Sequence, residues 1–371
     1  MRDVIFSIEP RLPPAVCGTS GFGWQLSQHW PDATKKFTHL TVDGAEASRR
    51  HFGRQEIFET GQGASRLFAR LQEHPGAGVI VHYASRGFHR YGIPIWLARG
   101  LGQWRRANAA SRMLVFFHEV PQPLPLLTRH GILERINRAI IRRLCGHADE
   151  IVTNTPEHSG RLAEISGRSG IPWMWIPSNI PTPQNAADAA VRRAGDFVIF
   201  GLPFTQMLTV RAFAVEMKAW RGAGLIERLH LIGPADAKFS PQTDALLAEF
   251  LPGDAIVRHG ALESAAVSRI LREAGFCLTQ SNAENASKSG TFTAFAAHGC
   301  AVVAKVGGDI SQAPFSHLIQ PGELPELVRQ PDGTEIARRS RALAAWYAKS
   351  VDWPVLAEKV ARIFDTRSVT P

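Results

Sequence analysis

At 371 residues, with 44% hydrophobic and 20% charged side chains, the chain has ordinary globular composition and enough length for two domains, each with its own core. No apolar run reaches the ~18 residues of a membrane span, and residues 1–7 lack the long apolar stretch of a secretory signal. The formal charge of +9 favours acidic partners: nucleic acid, anionic lipid or phosphorylated small molecules.

Strand and helix patterns alternate along the chain. Residues 4–8 predict a strand, followed by a Pro/Gly-rich loop and a helix over about 23–29. Residues 78–83 predict a second strand and 113–117 a third, the latter ending at His118-Glu119. Further strands are expected at 151–153 and 173–176. Between them lie two basic amphipathic helices. One, over 93–106, carries Trp96, Leu97, Leu101 and Trp104 with Arg99, Arg105 and Arg106. The other, over 132–144, sets Leu133, Ile136, Ile140 and Leu144 against Arg135, Arg138 and Arg142. Such helices either pack on a sheet or rest on an anionic membrane. Packing is the better account of the later one, and both accounts stay open for the tryptophan-bearing one.

A proline-rich joint begins near Ile180, and residues 184–196 are polar and alanine-rich. A second series of strands follows at 197–201, 229–233, 256–258, 275–279 and 302–304. Alternation of this length argues for parallel sheets covered on both faces. Cys17, Cys145, Cys277 and Cys300 show no C-x-x-C spacing and read as reduced, mostly buried thiols of a cytoplasmic protein. The 14 histidines fall in no H-E-x-x-H pattern, so no metal is implied.

The most informative stretch runs from Ser287 to Gly299. It reads as strand, polar loop, helix over 291–298 stopped by Gly299, and strand again. Lys288, the Ser287 and Ser289 hydroxyls, Gly290 and Thr291 at a helix start make a place for an anion. Free N–H groups and the positive helix end point the same way there. The plainer account is a solvated turn with capping Ser and Thr.

Other pieces lie in a telling order: Cys17-Gly18-Thr19-Ser20-Gly21-Phe22-Gly23, His82-Tyr83, Arg90-Tyr91-Gly92-Ile93-Pro94, Phe116-Phe117-His118-Glu119, Asn154-Thr155, Ile176-Pro177-Ser178-Asn179 and Asp352-Trp353-Pro354. Together with the Lys288 loop they resemble a GT-B glycosyltransferase, most of all its bacterial retaining family 4 group. The resemblance implies an α/β chain of two Rossmann-like doubly wound domains facing across a cleft. Residues 1–180 would be the acceptor side, 181–196 a linker, 197–350 the nucleotide-sugar side, and 351–371 a helix crossing back. It implies a nucleotide-sugar co-substrate (a UDP- or GDP-sugar), no other cofactor, and a glycan or lipid-linked acceptor. The reduced thiols lead us to expect a cytoplasmic site of action, and the two basic amphipathic helices allow peripheral contact at the inner face of an anionic membrane.

In this resemblance Gly18, Ser20, Gly21 and Gly23 approach the donor phosphates with Ser287, Lys288, Ser289, Gly290 and Thr291. Arg258 adds charge. His118, oriented by Glu119, touches the donor sugar, and His82, Tyr83 and Arg90 line the acceptor side. Lys288, His118 and Glu119 are the catalytic candidates, with transfer by front-face retention. The sequence departs from the family pattern where two glutamates are expected, at Ala286 and Ala294; Glu284 is a substitute for the first only. A basic pair expected after the strand at 197–201 is also missing. Three other classes remain: a catalytically weak relative that binds a glycan or partner, a sugar-phosphate or nucleotide enzyme sharing the two-domain fold, such as an epimerase, and a nucleic-acid binder. No recognition-helix, zinc-finger or RNP signature supports the last, and no nucleic-acid partner is expected.

Overall fold

The structure is a computed structural model; it describes residues 3–12, 21–42, 49–52 (backbone only), 55–125, 128–182, 192–330 and 333–366. The chain divides into two compact units, Met1–Trp175 with Trp353–Pro371, and Ile176–Asp352.

The first unit alternates β1 (Val4–Glu9), α1 (Phe22–Gln28), β2 (Lys36–Thr41), β3 (Arg49–Phe52), β4 (Gln55–Glu59), α2 (Ala64–Leu71), β5 (Gly78–Tyr83), α3 (Ser85–Phe88), α4 (Ile95–Ala107), β6 (Met113–Phe117), α5 (Arg129–His147), β7 (Glu150–Thr153) and α6 (Pro156–Ser166). Its sheet has the order β3-β4-β2-β1-β5-β6-β7. All pairings are parallel except β3 with β4, at the edge. Both faces of β5 and β6 are buried, as expected of near-continuous apolar runs such as GVIVHY and MLVFF. Leu67 and Leu71 of α2 join Leu97, Leu101 and Trp104 of α4 in one core against this sheet.

The second unit contains β8 (Arg193–Phe200), α7 (Pro203–Gly222), β9 (Arg228–Ile232), α8 (Ser240–Ala248), β10 (Ile256–Gly260), α9 (Ser264–Glu273), β11 (Ala274–Asn282), α10 (Gly290–Ala297), β12 (Ala301–Gly307), α11 (Leu324–Arg329) and α12 (Thr334–Ser350). Its five strands run β10-β9-β8-β11-β12, all parallel. The final helix, α13 (Trp353–Asp365), packs on the first unit. There Trp353 meets Phe22 with ring centroids 5.2 Å apart, and Phe364 fills the space that a side chain at Gly78 would need.

In each sheet the strand order reverses beside the first strand of the unit, between β1 and β5 and between β8 and β11. At such a switch point the helices after the two strands leave toward opposite faces, and the carboxyl ends open a crevice.

Three expectations change. Residues 173–176 form no strand but a single bridge, Thr153 to Trp173, because Pro172 and Pro177 bracket the run and deny it ladder donors. The sequence pattern predicts neither the β2–β4 strands nor α2, since KFTHLT and QEIFE do not alternate cleanly between apolar and polar residues. The third change is the rotation of α5. It buries Glu134 and Asn137 with Ile140, Ile141, Leu144 and Cys145, while Ile136 is 36% and Ile132 56% exposed. Asn137 accepts a 2.7 Å hydrogen bond from the buried Tyr83 hydroxyl, which fixes that face inward.

Cys145, Cys277 and Cys300 are buried free thiols, and burial pushes the Cys145 thiol up to about 12. Cys17 lies outside the described residues. Among the described residues, no helix is long and apolar enough to cross a membrane. Nor does any group of three His, Cys, Asp or Glu gather among them to hold a metal ion.

Candidate functional site

In the second unit the crevice forms from two strand-to-helix turns. After β11 the chain makes a single 3-10 turn at Ala286–Lys288, and α10 begins at Gly290. Ser289 is its N-cap: the hydroxyl accepts from the Phe292 N–H at 3.2 Å, and the Ser289 carbonyl accepts from Thr293. Among the described residues no acceptor meets the N–H groups of Gly290 and Thr291. Ser287 is buried, whereas Lys288 is exposed; its backbone N–H meets the Asn285 carbonyl at 3.3 Å, and its ammonium has no hydrogen bond or ion pair among the described residues. Glu284 is exposed, with its own N–H held by Asn282 Oδ1 at 3.0 Å.

The turn after β8 is the second part. Gly201 has φ 144°, and α7 then starts without a side-chain cap, with Pro203 in its first turn. The N–H groups of Phe204 and Thr205 find no acceptor among the described residues. The two helix starts meet beside the end of β8. The Thr291 hydroxyl donates to the Phe200 carbonyl at 3.2 Å. A Cβ on Gly201 would stand 3.3 Å both from that hydroxyl oxygen and from Thr205 Cβ. The amide of Gln206 donates to the carbonyls of Gly201 at 2.9 Å and Ile232 at 3.2 Å, tying the ends of β8 and β9. Four unpaired N–H groups, two positive helix ends and the Lys288 ammonium thus flank a switch point kept open by glycine.

Gly233, at the end of β9, has φ 138°, and a Cβ there would fall on the Gly201 carbonyl oxygen. We expect Gly233→Ala to destabilise the second unit by about 3 kcal/mol or more. Chemical denaturation checks this, with wild-type stability as the contrary result.

Arg258 lies elsewhere. It sits on the edge strand β10, and its exposed guanidinium is engaged by Asp244. It is therefore not gathered with the α7 and α10 starts.

In the first unit a buried polar row crosses the strand ends. Gly21, with φ 84°, is the residue before α1. Gly23 is required for a reason other than the expected approach of phosphate: a Cβ there would fall on the Glu9 carboxylate, 2.8 Å from Ser7 Oγ. Glu9 is fully buried, with Oε1 2.5 Å from His39 Nδ1 and Oε2 without a partner among the described residues. Ser27 donates to the Trp24 carbonyl and accepts from the Gln55 amide nitrogen, so Gln55 Oε1 must accept from His39 Nε2 at 2.9 Å. One proton is therefore shared between His39 Nδ1 and Glu9. Gly18 and Ser20 lie outside the described residues.

His82 and His118 stand in the same row. Their rings approach to 3.4 Å, and the Phe22 ring covers both, at 5.3 and 4.6 Å between centroids. Burial holds each imidazole down to about 3; the Glu9 charge works the other way on His82, and His158 adds to the depression of His118. The ring partner of His118 is His82 rather than Glu119, which is exposed. Tyr83 is displaced from the expected acceptor side. Successive strand residues face opposite ways, so with His82 on one face Tyr83 enters the core beneath α5, where burial raises its pKa. Arg90 is exposed and stacks on the Tyr91 ring at 4.3 Å.

Sequence reasoning missed Gly201, Gln206 and Gly233, although strand–Gly–x–Pro at 197–203 carried the same strand-to-helix signal as the Lys288 loop. It also missed Glu9 and His39, whose 30-residue separation carries no local pattern.

No family model and no curated protein matches the sequence. Solved structures do match. A sucrose-phosphate synthase from Thermosynechococcus elongatus aligns over 98% of both chains at 15% identity, with a TM-score of 0.62. HepE of Anabaena, in complex with UDP-glucose, aligns over 97% of this chain and 98% of its own at 11% identity, TM-score 0.63. The catalytic domain of starch synthase IV from Arabidopsis thaliana, bound to ADP and acarbose, covers 97% of this chain and 98% of that one at 10% identity, TM-score 0.61. At these identities the likeness speaks of architecture: two parallel α/β sheets in the GT-B fold of glycosyltransferases, which is the fold of this chain.

Proposed function

We propose that the protein is a glycosyltransferase that takes a sugar from a nucleoside diphosphate. The observation that carries the proposal is the convergence of the α7 and α10 starts beside Gly201, with Lys288 at the second. A nucleoside diphosphate carries negative charge where those N–H groups and that ammonium are unmatched. Charge on its β-phosphate grows as the glycosidic bond breaks, so donors fixed in advance favour the transition state over the bound substrate. Exposed Leu202 and Phe204, the latter 5.0 Å from the Phe239 ring, offer apolar surface for a base beside the phosphates. The UDP-glucose, UDP and ADP held by HepE and starch synthase IV support the same donor class.

We further propose that the second unit is the donor side and the first the acceptor side, with a glycan or lipid-linked hydroxyl as acceptor. Transfer would proceed with retention and without a metal ion, because Lys288 and the helix-end N–H groups supply the opposing charge. Ala286 and Ala294 favour a second reading, a relative that binds without turnover. Both are fully buried alanines where the family pattern has glutamates.

Thermal unfolding with UDP, GDP and ADP tests the donor site. One of them at a hundredfold excess over its Kd should add about 2.7 kcal/mol of stability. No shift with any of the three would overturn the site itself. A shift without release of nucleoside diphosphate from the matching sugar nucleotide would leave the non-catalytic reading.

A further inference from the structure

Charge and exposed apolar surface coincide in one part of the first unit. Residues 85–147 hold eleven arginines, no lysine and two glutamates, so the whole formal excess of +9 lies there. Five of the nine exposed large apolar side chains among the described residues lie there too: Tyr91, Ile95, Leu124, Ile132 and Ile136 on or beside α4 and α5. Three of these, Tyr91, Ile132 and Ile136, belong to one surface. Arg90 and Arg129 both stack on the Tyr91 ring, at 4.3 and 5.7 Å, which brings the turn before α4 against the start of α5. On α5 itself, Arg129, Ile132 and Ile136 follow at steps of three and four and therefore line one stripe. Exposed Arg135, Arg142 and Arg143 flank it.

No acid faces solvent on either helix. α4 has none, and Glu134 of α5 is buried with its carboxylate 3.7 Å from Arg138. The exposed Glu119 follows β6 and belongs to neither helix. The rotation of α5 is what exposes the isoleucines, since it turns polar Glu134 and Asn137 inward in their place.

We propose that this face docks on an anionic lipid bilayer. Isoleucine and tyrosine side chains would enter the boundary between headgroups and acyl chains, while the arginine fence meets lipid phosphates and carboxylates. Exposed isoleucines add nothing to a contact with a nucleic-acid backbone, whereas on a bilayer they leave water along with the guanidinium stems. The proposal does not depend on the donor site, which lies in the other unit.

Flotation of the full chain with lipid vesicles at about 0.1 M salt tests it. The protein should float with phosphatidylcholine vesicles that contain phosphatidylglycerol, and stay behind with phosphatidylcholine alone. The double variant Ile132→Ser, Ile136→Ser should lower the partition coefficient by about tenfold or more, and so should Arg129→Gln, Arg135→Gln. All four positions are exposed, so thermal midpoints should match wild type and separate lost docking from lost folding. Absence of binding to the anionic vesicles would overturn the proposal. So would binding that ignores the isoleucine changes and is competed equally by duplex DNA, the mark of a general polyanion surface. Wild-type flotation abolished only by an added acidic protein would assign the face to that protein instead.

Discussion

Replacing Lys288 by alanine will slow sugar transfer by about 10²–10³-fold and weaken nucleoside diphosphate binding, while stability stays within about 0.5 kcal/mol of wild type. The expected separation follows from the surroundings of the residue. The Lys288 side chain is exposed and contributes no hydrogen bond or ion pair to the fold among the described residues, so truncating it leaves nothing unpaired. It stands two residues before α10, where the N–H groups of Gly290 and Thr291 are open. The N–H groups act on any phosphate. An ammonium adds a full charge, which matters most when the leaving diphosphate becomes more negative. Steady-state turnover, nucleotide titration and thermal unfolding of the one variant measure all three. Turnover within twofold of wild type would remove Lys288 from the mechanism.

Acidification gives the second large effect. His82 and His118 are held down to about 3 by burial, against an ordinary value of 6.5. The unfolded chain therefore binds protons at these two rings between pH 6.5 and about 3, and the folded chain does not. Stability is fully present above 6.5 and falls as the pH drops through that window, by an order of 3–5 kcal/mol for each ring at the low end. Glu9 opposes the trend at His82 by favouring its charged form, while His39, His118 and His158 reinforce it. Equilibrium denaturation at pH 7, 5.5 and 4 should show a steep loss. The double variant His82→Gln, His118→Gln should flatten it, whatever its stability at pH 7. An equal acid slope in wild type and variant would assign the loss to other groups.

Several elements are plain from the sequence. Runs such as VIVH and MLVFF are too apolar and too short for anything but buried parallel strands. The Ser-Lys-Ser-Gly-Thr start and Gly299 stop of α10 fix both ends of a helix within a residue, because capping is a local matter of unpaired backbone groups. The alternation of such elements was enough to reach two doubly wound sheets.

The misread parts share one cause. Which face of α5 turns inward depended on the Tyr83 hydroxyl, 54 residues away, finding Asn137. Burying that pair unsatisfied would cost more than exposing Ile132 and Ile136. Periodicity counts apolar residues and has no term for a distant hydroxyl. Likewise His82 and Tyr83 looked equivalent at one strand end until the sheet's two faces separated them.

Sequence by itself determined the alternation of strands and helices, the anion-ready turn at Lys288 and the concentration of arginine in residues 85–147. Each depends on neighbours within a turn or on composition alone. Only the tertiary structure decided that a second helix start meets the first beside Gly201, that Gly23 yields its space to a buried carboxylate, and that isoleucine stands among those arginines. Those outcomes belong to contacts between residues far apart in the chain, where close packing and the demand that buried polar groups be paired select one arrangement from many that local pattern permits.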